Sequence, residues 1–460
     1  MIATIMPGKI TGEIAVIPSK SNLHRLLIYA ALADRETFII CAETEAEDIK
    51  ATIDCLTALG ANITRSSGGF NITPLDRNLK TDNPILLPCR ESGSTLRFML
   101  PVVCALGVHG IFEMKGRLPQ RPLSPLDTQL ENHGIRLWRD ESNYLHCQGQ
   151  LTSGDYNLPG NISSQYITGL LMALPLLEKP SRIVVTAPIE SADYIIMTLE
   201  VAEAFAHKTQ VRSLHHYSLE RKGIPDPTWD TSKNIEFNKD MDFSRDIECI
   251  TEGIGTFKSP KQIESEGDWS NAAFWMCAGA MPEGNILLKG MKKDSSQGDR
   301  EICNILGKMG VNVRWEGDNL LIRENKRLSL EIDGRATPDL IPVLAAVAAV
   351  SEGTTIFKNA SRLRIKESDR IMSTCKTLSG LGADITETPD GLRVVGKQTL
   401  RGGTVDAYGD HRIAMTAAIA SAACTEPVII TDAQSVNKSY PSFWNDLELL
   451  GKNVRLTSEG

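Results

Sequence analysis

The chain lacks an apolar run long enough to cross a bilayer. Its longest, Leu340 to Val350, is short and contains Pro342. Ten cysteines are scattered along 460 residues without one Cys-x-x-Cys pair, which argues against a disulfide framework and against a zinc site. Most of them read as small buried apolar side chains. There is no low-complexity segment. An excess of positive charge is missing too: the formal net charge is −8, which disfavours a nucleic-acid or acidic-membrane partner. Residues Met1 to Pro7 lack the basic start, apolar middle and small-residue cleavage site of a signal peptide, and are not Arg- and Ser-rich. The expectation is a cytoplasmic protein.

What is present is an ordinary globular composition, 42% hydrophobic and 23% charged, with length for about two or three domains. Within this acidic chain, cations cluster locally, as suits a focused pocket for a small anion. The stretch Leu363 to Ile371 holds Arg364, Lys366, Glu367, Asp369 and Arg370 between two apolar residues. Ser368 or Asp369 can cap the helix that follows. Tyr408-Gly409-Asp410-His411-Arg412 stands in the same way before the Ala-rich helix Ile413 to Ala423. Capped helix starts beside cations attract anions, and a carboxylate among them can move protons.

The chain also repeats itself. An apolar helix ends in Gly60, Gly134, Gly310, Gly382 or Gly451, and a short alternating strand follows each. In the first four copies a polar turn and a second strand come next, predicting a hairpin. Each glycine suits a left-handed helix C-cap. The copy at Gly451 is truncated. Val201 to His207 is a sixth candidate without the glycine. Six units suggest two halves of three units each. Residues 216 to 263 break the rhythm and read as a variable insertion.

Further polar clusters open helices. Ser19-Lys20-Ser21-Asn22-Leu23-His24-Arg25 precedes the helix Leu26 to Ala33, with Ser21 or Asn22 as cap. Glu91-Ser92-Gly93-Ser94-Thr95-Leu96-Arg97 is a small-residue loop that lets a ligand approach the backbone, yet it is not the P-loop. Gly116 to Pro122 is a stiff loop carrying Arg117 and Arg121. Gly160 to Tyr166 puts Ser163, Ser164 and Gln165 before the helix Ile167 to Leu177, and Pro338-Asp339 precedes the apolar stretch Leu340 to Val350. Each cluster alone is equally an ordinary cap or surface turn; Asp339 alone is equally a helix-start acid.

Their joint order is specific. Ser19-Lys20-Ser21, Ser92-Gly93-Ser94, Arg117 to Pro122, Ser163-Ser164-Gln165, Pro338-Asp339, Lys366 to Arg370, Asp410-His411-Arg412 and Lys438 together resemble the 5-enolpyruvylshikimate-3-phosphate synthase (3-phosphoshikimate 1-carboxyvinyltransferase) family. The resemblance runs from about Pro18 to Phe443. It implies a two-domain inside-out α/β barrel of six βαβαββ repeats, three per domain, with a cleft that closes over the substrates. The domains would be 1–19 plus 267–460 and 20–266, the first mainly on the phosphoenolpyruvate side and the second mainly on the shikimate-3-phosphate side. The implied shikimate-3-phosphate site is Lys20, Ser21, Arg25, Ser163, Ser164, Gln165, Ser191, Tyr194, Asp339 and Lys366. The implied phosphoenolpyruvate site is Lys20, Gly93, Arg121, Gln165, Glu367, Arg370, His411, Arg412 and Lys438. Asp339 would be the base at the 5-hydroxyl, with Glu367 and Lys20 moving the proton at C3. The resemblance implies no cofactor and no metal, small-molecule substrates in place of nucleic acid or membrane, and a monomer.

Departures are few. Arg362 and Leu363 stand where well-known bacterial members carry Asn and Trp, and Glu91 replaces an Asn. Gly93 keeps the small residue where a methyl group would crowd glyphosate. The nearest rival is the related transferase acting on UDP-N-acetylglucosamine. Against it, the loop from about Lys115 to Leu126 has no Cys, and Ser21 stands where that family has Asn. A non-catalytic binding homologue is disfavoured by the intact charged set. An RNA-end-processing relative is disfavoured by the net charge and by the absence of that family's nucleotide-linking motif.

Overall fold

The computed structural model describes the chain apart from residues 43, 45, 79–80, 82, 215–242, 254 and 459–460. It divides into two compact units. One comprises Met1–Ser21, Cys41–Ile49 and Ser265–Gly460; the other comprises Asn22–Ile40 and Lys50–Glu264. The described residues of each unit form three four-stranded sheets.

One repeat shows the rule. Strand Ile85–Arg90 leads to helix Gly93–Ala105, strand Gly110–Met114, helix Leu126–Asn132 and the hairpin Ile135–Arg139/Leu145–Gly149. The first two strands are parallel. The hairpin adds antiparallel on the far side of the second, returning strand first. Residues 155–251 and 331–395 repeat this order.

The other three sheets borrow a strand from far along the chain. Gln262–Glu264 pairs with Thr37–Ile40, and Thr11–Ala15 pairs with Asn285–Lys289, both in parallel. Ile2–Ile5 lies between Val428–Thr431 and Val454–Thr457, so the copy that looks truncated in sequence is completed by the first strand of the chain. The expected insertion does not extend over all of 216–263. Residues 216–242 lie outside the described residues. Beyond them, Ile247–Thr251 is a central strand of its sheet and Gln262–Glu264 completes another, so this part belongs to the repeats.

The helix ends explain the repeated glycines. Gly60, Gly134, Gly310, Gly382 and Gly451 all have φ between 88° and 100°. Each amide closes the last helical turn, as Gly60 N does on Thr57 O and Gly382 N on Ser379 O. The sixth copy uses Ala206, at φ 56°, in the same place. Its amide donates to Glu203 O and that of His207 to Ala202 O.

Six helices are buried almost all round: Lys20–Ala31, Gly93–Ala105, Ser164–Ala173, Trp269–Ala280, Ile341–Ala348 and His411–Ala420. Several start earlier than the apolar pattern suggests. Ser21 and Asn22 lie inside the first turn, after the helix start at Lys20. The residues of these helices that are not buried are Lys20, Ser21, Ser94, Gln165 and Ser270, all in first turns. The three helices of each unit pack together without large side chains everywhere. A Cβ at Gly169 would lie 2.3 Å from Arg97 O, so glycine there lets two helices approach closely.

Left-handed φ at Ala206 costs what glycine avoids. Ala206→Gly is expected to raise unfolding free energy by about 0.5–1 kcal/mol, after allowing for the unfolded-state entropy of glycine. Urea denaturation checks this; a destabilised variant would contradict it.

Candidate active site

In the unit containing residues 265–460, three buried helices bring their N-terminal ends together. Asp268 caps Trp269–Ala280, accepting from Asn271 N at 2.7 Å, and also accepts from Lys20 N at 3.0 Å. Pro338–Leu340 forms a tight turn into Ile341–Ala348. Asp410 caps His411–Ala420 through Arg412 N at 3.0 Å. A fourth start joins them, where Asp369 caps Arg370–Gly380 through Met372 N at 3.1 Å.

Arg370 is the hub. Nε and Nη2 donate to the two Asp410 oxygens at 2.7 and 3.1 Å. Nη2 also donates to Glu367 Oε2 and Nη1 to Asp339 Oδ1, each at 2.7 Å. Four of its five N–H donors are thus taken by carboxylates, leaving one for a ligand. The side chains of Arg370 and Asp410 are 2% and 0% exposed. Burial alone would weaken the charge on Arg370, but the three carboxylates reverse that and bind its proton more tightly than usual.

Arg412 is more open to a ligand. It donates to Asp339 O at 3.1 Å and Ser270 Oγ at 2.7 Å, with Asp339 Oδ2 at 3.4 Å. Lys366 Nζ stands 3.4 Å from Asp339 Oδ1. Burial would raise the Asp339 carboxyl, yet Arg412, Lys366 and Arg370 outweigh it and hold it well below the usual carboxylate range. Burial lowers Lys366, with Asp339 opposing. His411 is held far below its ordinary value by burial and by Lys20, Arg412 and Arg370, so its imidazole is neutral near pH 7. Its Nδ1 has no hydrogen-bond partner among the described residues. Lys20 Nζ pairs with Asp48 Oδ2 at 2.6 Å. Lys438 ends the short helix Ala433–Lys438 and is half-buried.

In the unit containing residues 50–264, Ser92 caps Gly93–Ala105 through Thr95 N at 3.2 Å, and Ser163 caps Ser164–Ala173 through Gln165 N at 3.3 Å. Gln165 joins the two helix starts. Its amide donates to Ser94 Oγ at 2.9 Å and accepts from Arg97 Nη1 at 2.7 Å. Arg97 and Tyr166 both donate to Pro122 O, fixing the end of the stiff basic loop. The Arg121 guanidinium packs on Gly93, where an added Cβ would meet Nη1 at 2.6 Å. Arg25 donates to Thr198 Oγ1, Thr168 Oγ1 and Tyr194 O, lies 5.2 Å from the Phe98 ring centre and is 1% exposed. Burial pulls its pKa down to about 10. Ser191 is buried at φ 56°, just before helix Asp193–Ala204, whose second residue is Tyr194.

A model of the family EPSP synthase (3-phosphoshikimate 1-carboxyvinyltransferase) matches residues 5–221 and 245–447. The chain belongs to the EPSP synthase family. Among curated relatives, the 3-phosphoshikimate 1-carboxyvinyltransferase of Clostridium kluyveri is 38% identical over 459 residues, covering 99% of each chain. The protein of that name from Clostridium beijerinckii is 39% identical over 455 residues, covering 97% of each. The fold is shared with the EPSP synthase of Acinetobacter baumannii (TM-score 0.75, 24% identity, covering 99% of this chain and 100% of that one). It is also shared with the enolpyruvyl transferase NikO of Streptomyces tendae (TM-score 0.74, 16% identity, 100% and 99%).

Two departures from the EPSP synthase pattern gain a physical reading. Leu363 is fully buried and packs in the core. The Glu91 carboxyl lies against the backbone at Gly116, within 2.6 Å of where a Cβ there would stand, so it abuts the basic loop. Sequence reasoning missed Asp48, which pairs with Lys20, Ser270, which accepts from Arg412, and Asp299, which accepts from Ser270. Asp48 resembles a routine first-turn acid, Asp299 sits in an unremarked Gln-Gly-Asp turn, and Ser270 is one hydroxyl opening an apolar helix.

Removing the charge of Asp410 leaves Arg370 buried with its main partner gone. Asp410→Asn is expected to cost about 3–5 kcal/mol of stability. Chemical denaturation measures it, and a loss below about 1 kcal/mol would contradict the hub role.

Proposed function

We propose that the protein transfers the enolpyruvyl group of phosphoenolpyruvate to the 5-hydroxyl of shikimate-3-phosphate, releasing phosphate. The observation that carries this reading is the Asp339–Lys366–Glu367–Arg370–Arg412 constellation, gathered at helix starts in a chain related end to end to 3-phosphoshikimate 1-carboxyvinyltransferases. Helix N-termini and guanidinium groups suit two highly anionic substrates.

Asp339 is the proposed base at the 5-hydroxyl. While three cations surround it, the carboxylate is ionised but weakly basic. An anionic ligand drawing on Arg412 and Lys366 relieves that hold and raises its proton affinity. As the 5-oxygen attacks C2, C3 takes a proton; the tetrahedral adduct then loses a C3 proton and expels phosphate. Glu367, oriented by Arg370, and Lys20, oriented by Asp48, are the proposed carriers of that proton. Arg412, the last donor of Arg370, Arg121, Lys438 and the neutral His411 are proposed for phosphoenolpyruvate, with Gly93 and Gln165 shaping its place. Ser163, Ser164 and Ser191 are proposed for the shikimate phosphate, with Ser21, Arg25, Tyr194 and Lys366 for the ring and its carboxylate. The phosphoenolpyruvate side is proposed to lie mainly in residues 1–19 plus 267–460, and the shikimate-3-phosphate side mainly in 20–266. Among the described residues no helix is long and apolar enough to cross a membrane. A cytoplasmic monomer is part of the proposal.

Phosphate release should require phosphoenolpyruvate and shikimate-3-phosphate together, and UDP-N-acetylglucosamine should not replace the latter. Asp339→Asn and Glu367→Gln should each lower kcat by about 10²–10⁴. Release with the amino sugar alone would overturn the acceptor, and wild-type kcat in both variants would overturn the proton roles.

Glyphosate is expected to inhibit in competition with phosphoenolpyruvate. Gly93→Ala should weaken both, because its methyl group displaces Arg121. Indifference of the unmodified enzyme to millimolar glyphosate at low phosphoenolpyruvate would contradict this.

A further inference from the structure

Arg412 touches a hydroxyl that the reaction, as drawn, does not use. Its Nη2 donates to Ser270 Oγ at 2.7 Å, and Ser270 Oγ donates in turn to Asp299 Oδ2. A hydroxyl has one hydrogen. Spent on Asp299, it leaves the oxygen lone pairs facing Arg412, so the relay has one polarity: guanidinium to hydroxyl to carboxylate. Asp299 is 4% exposed and belongs to the turn Gly298–Glu301. That turn is anchored by Gln297, whose Oε1 accepts from Ser19 Oγ at 2.9 Å and Trp269 N at 3.2 Å, and whose Nε2 donates to Gly267 O at 2.9 Å. The carboxylate is therefore held by a fixed loop.

We infer that Asp299 is a positioning residue for the anion clamp: through Ser270 it fixes the plane and rotation of the Arg412 guanidinium. This rests on the proposed role of Arg412 toward phosphoenolpyruvate. Three donors of Arg412 are committed, two to Asp339 and one to Ser270, and those contacts aim the remaining two, Nε–H and one Nη1–H. Without the Ser270 contact, the guanidinium can turn about its long side chain while keeping Asp339. A bidentate contact with a carboxylate or phosphate needs a fixed plane, so the loss falls on the anion that Arg412 receives. Asp299 acts through Ser270 and Arg412, as a buried carboxylate behind the hydroxyl. Burial and the nearby Asp339 push its pKa up to about 6, with Arg412 and Ser270 drawing it down and Asp268 adding to the rise. A carboxylate kept in so unfavourable a place is consistent with a task beyond solubility.

The test compares Asp299→Ala, Asp299→Asn, Ser270→Ala and the double alanine variant at pH 7.5. Asp299→Ala and Ser270→Ala should each raise KM for phosphoenolpyruvate about tenfold, with kcat and the KM for shikimate-3-phosphate within about threefold of wild type. The double variant should be no worse than the poorer single variant, because one relay is cut twice. Asp299→Asn, which keeps an acceptor for Ser270, should recover most of the lost affinity. Additive effects, an equal rise in both KM values, or an asparagine variant as poor as the alanine one would overturn the inference. Phosphoenolpyruvate binding by calorimetry separates this from the functional proposal. If the wild type binds phosphoenolpyruvate and fails to turn over, the proposed function fails, while the variants' affinities still decide the role of Asp299.

Discussion

The buried pairing of Arg370 with Asp410 is the constraint on which the rest of the site depends. Two charges withdrawn this far from water are tolerated only when their hydrogen bonds are nearly complete. Arg370 meets that condition by gathering Asp339, Glu367 and Asp410 from three separate stretches of chain. Asp410 meets it by also accepting from Ser368 Oγ and from the amide of Arg412. Because Asp410 is the cap of its helix, the ion pair sets where His411 and Arg412 begin. Arg412 then reaches back to Asp339, and the loop of contacts closes.

A second consequence concerns charge. Lys366, Arg370 and Arg412 are matched by carboxylates within the protein, so the cluster is close to balanced before any ligand arrives. An incoming anion competes with Asp339 for the same cations. Under the proposed chemistry this competition is useful: a carboxylate held ionised gains basicity when the substrate takes over its neighbours. The neutral His411 fits the same picture, since another positive charge in that crowd would be costly.

Much of this was legible in the sequence. The repeats showed through glycine at helix ends, where a left-handed residue is needed. The charged motifs showed through their place before apolar helices. Ala206 escaped the pattern because the backbone imposes the conformation even on a residue that resists it. The borrowed strands Ile2–Ile5, Thr11–Ala15 and Gln262–Glu264 escaped it because strand pairing across hundreds of residues leaves no local mark. Residues 247–251 were misread as insertion because a short, wholly buried strand has no alternation to reveal it. Asp48, Ser270 and Asp299 were passed over for a different reason. Asp48 and Ser270 each meet a charged side chain and Asp299 reaches one only through Ser270, and such contacts cannot be read from spacing.

The central claim is that this balanced cluster moves one proton onto a carbon and off again. Turnover in deuterium oxide tests it most directly. With phosphoenolpyruvate and shikimate-3-phosphate, mass spectrometry should find deuterium in the methylene group of the enolpyruvyl product, because C3 passes through a methyl stage. Product formed at full rate with no deuterium at that carbon would mean that C3 is never protonated from exchangeable groups. The addition–elimination account, with the roles given to Glu367 and Lys20, would then be wrong.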